Sequence, residues 1–312
     1  MNGLQDTARK IKNMDIRGAG RIARAAASAL KGFALQLDVG TTKEFDAEMN
    51  MAARVLLDTR PTAVSLYNAV MMVIRYKAES VDEARASVVA NADQFIDNSN
   101  KAVEKIGEIG SKRIQSGDTV LTHCNSMAAI TVISSAHKAG KDIRVIATES
   151  RPRCQGLLTI AMLNELGIDT TLIVDSAVRS VMNNVDLVVV GADVVTANGS
   201  LVNKIGTSQV ALCAYEARSP FVAAAETYKF SPKTLMGEMV PIEERSPDEV
   251  ATDISNLKHV KIFNPGFDVT PHRYIDMIFT EVGAIPPEMS YMIIKEKLGW
   301  EMDPTPGISQ QL

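Results

Sequence analysis

Two side chains able to move protons stand where apolar runs give way to turns. Thr122-His123-Cys124-Asn125-Ser126 follows an apolar run and precedes a helical stretch that starts near Met127. A thiol beside a helix N-terminus feels the positive end of the aligned peptide dipoles, which lowers its pKa from about 8.5 towards neutrality and makes its thiolate a usable base. Enclosed by apolar groups, the same thiol is an inert small hydrophobe. His123, one residue earlier, points to the opposite face of an extended strand and reads as structural. The second group ends the run Leu187-Val188-Val189-Val190-Gly191-Ala192-Asp193. A strand-end Asp can simply cap the following helix. Here, however, Asn198-Gly199-Ser200 makes a turn, and Asn203-Lys204-Ile205-Gly206-Thr207 leads into the helix. Asn203 and Lys204 then offer donors beside a helix N-terminus, an arrangement suited to phosphate. Cys124 and Asp193 are the expected acid/base pair, brought together by neighbouring strand ends.

Anion-binding groups surround this pair in the reading. Glu149-Ser150-Arg151-Pro152-Arg153-Cys154-Gln155-Gly156 ends another apolar run; Arg151 and Arg153 present guanidinium forks that match phosphate oxygens, and Gln155 adds a polar contact. Asn125 and Ser126, next to the thiol, are counted with them, as is the cation Lys229 after Ala225-Glu226-Thr227-Tyr228. Near the N-terminus, Arg17-Gly18-Ala19-Gly20-Arg21 opens a helix, and its glycines let backbone N–H groups approach a phosphate closely. Arg60, just before Pro61, is expected in the same cleft. A pocket with two anion-binding ends and an acid/base pair between them has the shape of a sugar bisphosphate.

These groups need a scaffold, and the chain of 312 residues, 46% hydrophobic and 22% charged, is composed like a soluble globular protein. Residues 3–114 read as successive Ala-rich helices, best seen over 21–37, where Ala23, Ala26, Ala27, Leu30, Ala34 and Leu37 share one face. Asp58-Thr59-Arg60-Pro61-Thr62 breaks the pattern before a helix to about Lys77, and a long helix follows over 81–115. Ser116-Gly117-Asp118 marks a boundary, giving a helical domain over 1–116 and an α/β domain over 117–312. Beyond it, strands at 119–123, 143–148, 170–174, 187–190, 221–224 and 260–263 alternate with helices, the pattern of a doubly wound, mostly parallel sheet. Right-handed crossovers place their ends along one edge, where ligands bind in such sheets. The apolar segments 274–278 and 291–294 suit either core or interface, and the polar tail after Trp300 reads as a loosely held end.

The formal net charge of −4 argues against a general nucleic-acid binder. No apolar run reaches the ~20 residues of a membrane span and the N-terminus has no signal-peptide core, so a cytoplasmic protein is expected. Cys124, Cys154 and Cys213 are odd in number and without a CxxC, which points to free thiols rather than disulfides or zinc.

As a set, Arg17-Gly18-Ala19-Gly20-Arg21, Arg60-Pro61-Thr62, Thr122-His123-Cys124-Asn125-Ser126, the segment from Arg151 to Gly156, Gly191-Ala192-Asp193, Asn203 to Thr207 and Asn264-Pro265-Gly266-Phe267-Asp268-Val269-Thr270-Pro271 resemble one superfamily. It joins methylthioribose-1-phosphate isomerases, ribose-1,5-bisphosphate isomerases and the regulatory subunits of translation initiation factor 2B. The resemblance covers nearly the whole chain and implies a Rossmann-like catalytic domain. In the enzymatic branches a catalytic Cys and Asp stand where Cys124 and Asp193 stand here; the initiation-factor subunits generally lack that pair. Arg17 to Ala26 and Thr122 to Ser126 look most like the archaeal ribose-1,5-bisphosphate isomerases. The resemblance thus implies conversion of α-D-ribose 1,5-bisphosphate to ribulose 1,5-bisphosphate in nucleotide salvage feeding Rubisco. The alternatives are a methylthioribose-1-phosphate isomerase or a non-catalytic regulatory subunit. Such an isomerisation only rearranges electrons within the sugar, so no redox cofactor is expected, and no metal-ligand cluster is visible in the sequence. The resemblance further implies a homo-oligomer from dimer to hexamer, and AMP as an activator.

Overall fold

The structure is a computed structural model and describes residues 2–252 and 258–299; the tail after Trp300 lies outside them. The described residues form two compact units, one made of residues up to Lys101 with residues 294–299, the other lying within Ala102–Ile293.

In the first unit the helices are α1 (Asn2–Lys12), α2 (Ala19–Gln36), α3 (Thr42–Leu57), α4 (Val64–Ile74) and most of α5 (Val81–Gly110). α2 buries Ile22, Ala23, Ala26, Ala27, Leu30, Phe33 and Ala34 on one face, and packs on α1, α3 and α4. Leu37, expected on that face, is the C-cap in extended backbone. α3 starts at a capping box: Glu44 N–H donates to Thr41 Oγ1 at 3.2 Å while Thr41 N–H donates to Glu44 Oε2 at 3.0 Å. The break at residues 58–62 separates α3 from α4 as expected. α5 stops at Gly110, before the expected residue 115, because a 3₁₀ turn at Ser111–Arg113 takes over. Among the described residues no helix is long and apolar enough to cross a membrane.

The second unit is built on a seven-stranded sheet of order β10-β9-β7-β4-β1-β2-β3. Its elements in chain order are β1 (Thr119–Thr122), α6 (Met127–Lys138), β2 (Arg144–Thr148), α7 (Gly156–Glu165), β3 (Asp169–Ile173), α8 (Val178–Val181), β4 (Leu187–Gly191), β5 (Val194–Val195), β6 (Leu201–Lys204), α9 (Thr207–Ala217), β7 (Phe221–Ala224), β8 (Phe267–Thr270), β9 (Met277–Thr280), β10 (Gly283–Ile285) and the start of α10 (Ser290–Leu298). Within the seven-stranded sheet all pairings are parallel except β9 with β10. β1, β4 and β7 are buried along their whole length, as expected of central parallel strands. Val120, Val145, Leu187, Val189, Val222 and Phe279 share one core with α6 and Leu163 of α7.

Residues 260–263 are not a strand, contrary to the expectation: Val260 and Phe263 are 52% and 76% exposed. The sixth parallel strand is β9, whose Ile278 and Phe279 are buried. A second, three-stranded antiparallel sheet of order β5-β6-β8, not foreseen from the sequence, stands directly after β4.

Candidate active site

Strand order reverses at β1: β2 and β3 follow on one side, while β4 lies on the other. The crevice at such a switch point is where open α/β sheets bind ligands. Cys124 follows β1 and Asp193 follows β4, and these strands are paired in parallel with Val120 opposite Leu187. The expectation of neighbouring strand ends therefore holds. Gly191 closes the gap between them, since a Cβ there would fall 2.2 Å from Ser126 Oγ.

Cys124 adopts the left-handed conformation, with φ of 68°, and is partly buried. Its Sγ donates towards Gln155 Oε1 at 3.5 Å. The expected drop of its pKa towards neutrality is not found. Burial pushes the thiol up to about 11; Lys204 and the Asn125 N–H draw it down, and the charges of Asp193 and Asp175 raise it again. The helix start offers little relief because Cys124 lies outside it: Ser126 is the N-cap, and its side chain takes the Ala129 N–H at 3.4 Å. At neutral pH the sulfur keeps its proton.

Asp193 is partly buried where the chain passes from the main sheet to the small one. Its N–H donates to Val202 O at 3.0 Å, which ties it to the hairpin of β5 and β6. Asn203 and Lys204 end that hairpin. Asn203 is buried and donates to Thr207 Oγ1 at 3.0 Å; Lys204 Nζ donates to Gly266 O at 3.1 Å and lies 4.9 Å from the Phe267 ring centre.

The α9 terminus next to these residues is not an open anion site, contrary to the expectation. Asp268 Oδ2 accepts from Gly206 N at 2.8 Å and Ser208 N at 3.1 Å, so an internal carboxylate already takes the helix dipole. Burial pushes the Asp268 pKa up to about 6 against these two N–H bonds. His123 is structural, as expected. Its Nε2 lies 2.8 Å from Ile205 O, which can only accept, so the proton sits there and Nδ1 accepts from Thr148 Oγ1 at 2.6 Å.

Several of the expected cations are already partnered. Arg151 donates to Val250 O at 3.2 Å, and Arg153 pairs with Glu249 Oε1 at 2.7 Å. Lys229 is buried and pairs with Glu226 Oε2 at 2.6 Å. In the first unit, Gly18 (φ of 87°) caps α2, and Arg17 Nε donates to Met14 O at 2.6 Å. Ser65 Oγ donates to Ala19 O at 3.3 Å, so the start of α2, with Ala19, Gly20 and Arg21, lies beside the start of α4 and the turn that carries Arg60.

Sequence reasoning missed Ser150 and Thr159, whose hydroxyls contact the Cys124 backbone, and the capping role of Asp268. Among the described residues no group of three or more His, Cys, Asp or Glu side chains is placed to hold a metal ion.

The model of the initiation factor 2 subunit family matches residues 15–287. Ribose 1,5-bisphosphate isomerase of Archaeoglobus fulgidus is 60% identical over 300 residues, covering 96% of this chain and 95% of that protein. Methylthioribose-1-phosphate isomerase of Acetivibrio thermocellus is 37% identical, over 90% of this chain and 88% of its own. Among solved structures, translation initiation factor eIF-2B of Pyrococcus horikoshii OT3 superposes with a TM-score of 0.79 at 30% identity, over 91% of this chain and 97% of that one. With this sheet order, and with similarity along almost its whole length, the chain belongs to the initiation factor 2 subunit family.

Proposed function

We propose that this protein is an aldose–ketose isomerase that converts α-D-ribose 1,5-bisphosphate to D-ribulose 1,5-bisphosphate. The observation that carries the reading is the thiol of Cys124 and the carboxyl of Asp193 flanking the switch point on paired strands. The high identity to a relative that bears the isomerase name supports the choice of substrate.

The C1 oxygen carries phosphate, so the ring must open while C2 loses a proton and C1 gains one. The resting sulfur is protonated, and the Asp193 carboxylate is the group that takes this proton as the substrate seats. The thiolate then removes the C2 proton, the C1–C2 double bond forms, and the C1–O4 bond breaks as protonated Asp193 donates to O4. Asp193, now a carboxylate, takes the proton of the C2 hydroxyl while Cys124 returns its proton to C1, which yields the ketone. Arg151, Arg153, Gln155, Asn125, Ser126, Asn203, Lys204 and Lys229, with Arg17, Gly18, Ala19, Gly20, Arg21 and Arg60, are the proposed phosphate and sugar contacts that position the substrate. Arg151 and Arg153 would exchange Val250 and Glu249 for phosphate oxygens.

We also place the reaction in cytoplasmic AMP salvage upstream of Rubisco, carried out by a homo-oligomer with AMP as activator; the superfamily resemblance alone supports this. The test is incubation of the purified protein with ribose 1,5-bisphosphate and, in parallel, methylthioribose 1-phosphate. Ribulose 1,5-bisphosphate should form from the first. Cys124→Ser and Asp193→Asn should each abolish turnover while binding persists; full activity in both variants rules the mechanism out.

A further inference from the structure

Both peptide groups flanking the reactive position are gripped by hydroxyls from other elements. The Cys124 N–H donates to Ser150 Oγ at 2.8 Å, and Thr159 Oγ1, on α7, donates to Cys124 O at 2.7 Å. Ser150 is itself pinned: its N–H and that of Arg151 donate to the two carboxylate oxygens of Asp175 at 2.8 and 2.7 Å. Thr159 in turn accepts from Asn125 Nδ2 at 3.0 Å.

The backbone explains why such a grip is needed. A non-glycine residue with positive φ sits in a sparsely populated region and persists only where its surroundings over-determine it. Cys124 (φ of 68°) and Ser150 (φ of 60°) both do so, and they are bonded to each other. Ser150 and Thr159 are buried, at 1% exposure each, so their hydroxyls are spent on these contacts rather than on water.

We propose that Ser150 and Thr159 are positioning residues for the Cys124 thiol, their hydroxyls holding its backbone in the left-handed conformation that directs the sulfur towards Gln155. The role rests on the isomerase reading only for its kinetic consequence. A relaxed Cys124 would carry its sulfur away from the reacting carbons, and misplacement of about 1 Å can cost roughly a hundredfold in rate.

The experiment compares Thr159→Val, Thr159→Ser and Ser150→Gly with the parent protein. Glycine accepts the left-handed backbone at position 150, so that variant removes the hydroxyl without adding strain. Two readouts are taken: kcat and KM for ribose 1,5-bisphosphate, and iodoacetamide labelling of Cys124 against pH, resolved by peptide mass spectrometry from Cys154 and Cys213. Thr159→Val and Ser150→Gly should lower kcat about ten- to a hundredfold with KM little changed. The Cys124 labelling midpoint should fall towards the ordinary thiol value near 8.5. Thr159→Ser, which keeps the hydroxyl, should restore both parent behaviours. Folded variants whose Cys124 labelling profile matches the parent's overturn the proposal, whatever the activity. If the variants shift the Cys124 labelling midpoint relative to the parent as expected but the parent does not turn over the bisphosphate, the isomerase reading is refuted and the grip on Cys124 stands. Should Ser150→Gly not fold, the two Thr159 variants decide alone.

Discussion

The Asp268 carboxylate sits on the first amides of α9, 2.8 Å from Gly206 N and 3.1 Å from Ser208 N. It reaches them from β8, 62 positions along the chain from Gly206. The helix end beside Lys204 is thereby neutralised from within, and an incoming phosphate must rely on side chains.

This gives a pH signature. Burial holds the Asp268 pKa at about 6, above the unfolded value of about 3.9. A raised pKa favours the protonated form in the folded state, so its contribution is fully present below about pH 4 and is lost as pH rises to about 6. The whole effect is at most about 3 kcal/mol. Urea unfolding of the parent and Asp268→Asn across pH 4 to 7 should show the difference moving in favour of the variant as pH rises; a constant difference refutes the assignment.

Gly191 is the contact between the two strand ends. A methyl group there would lie 2.2 Å from Ser126 Oγ and 2.4 Å from Ser126 Cβ, so Gly191→Ala must push the loop after β1 away from β4. The expected cost is about 1–3 kcal/mol of stability, with a fall in kcat because Cys124 and Asp193 separate. Thermal unfolding and steady-state kinetics measure the two parts.

Glu226 and Lys229 form an ion pair with both residues under 10% exposed. Burial alone would raise the Glu226 pKa, but the Lys229 ammonium outweighs it and holds the carboxyl below its usual range. Removing one charge strands the other, at a cost of about 3–5 kcal/mol. Glu226→Gln should therefore unfold at markedly lower urea, and Glu226→Gln with Lys229→Met should recover part of the loss.

Glu249 is shared by Arg245 and Arg153, and both hold its carboxyl below the usual range. The Arg153 side chain is 39% exposed, so the pair is worth no more than about 1 kcal/mol of stability. If Arg153 turns to a substrate phosphate, Arg153→Ala should raise KM about tenfold with little change in kcat, whereas Glu249→Gln should lower KM. Unaltered KM in both variants removes Arg153 from the binding set.

What was readable in the sequence follows what each element buries. β1, β4 and β7 are covered on both faces, so their residues are almost uniformly apolar or small and announce themselves. From them the adjacency of Cys124 and Asp193 could be inferred. β9 was masked by Val260-Lys261-Ile262-Phe263, which imitates strand alternation in an exposed segment. β5 is only two residues long and leaves no periodic trace. The thiol's raised pKa was illegible for a different reason: sequence shows that a helix follows, but not that Ser126 caps it two residues later or how much water the sulfur loses. Ser150, Thr159 and Asp268 are common residue types whose partners lie 26, 35 and 62 positions away, beyond any local pattern.

The hairpin of β5 and β6 carries Asp193 at its entrance and Asn203 with Lys204 at its exit, and Val194 faces Val202 across it. The proposed proton donor and the proposed anion contacts therefore sit on one paired hairpin, held at a separation set by strand pairing. Inserting a single residue in β6 ahead of Asn203 would turn Asn203 and Lys204 to the opposite faces and remove the proposed anion contacts. Length changes compatible with catalysis are confined to the turn around Asn198, so across related enzymes this tip is where loop variation should collect while the two arms keep their count.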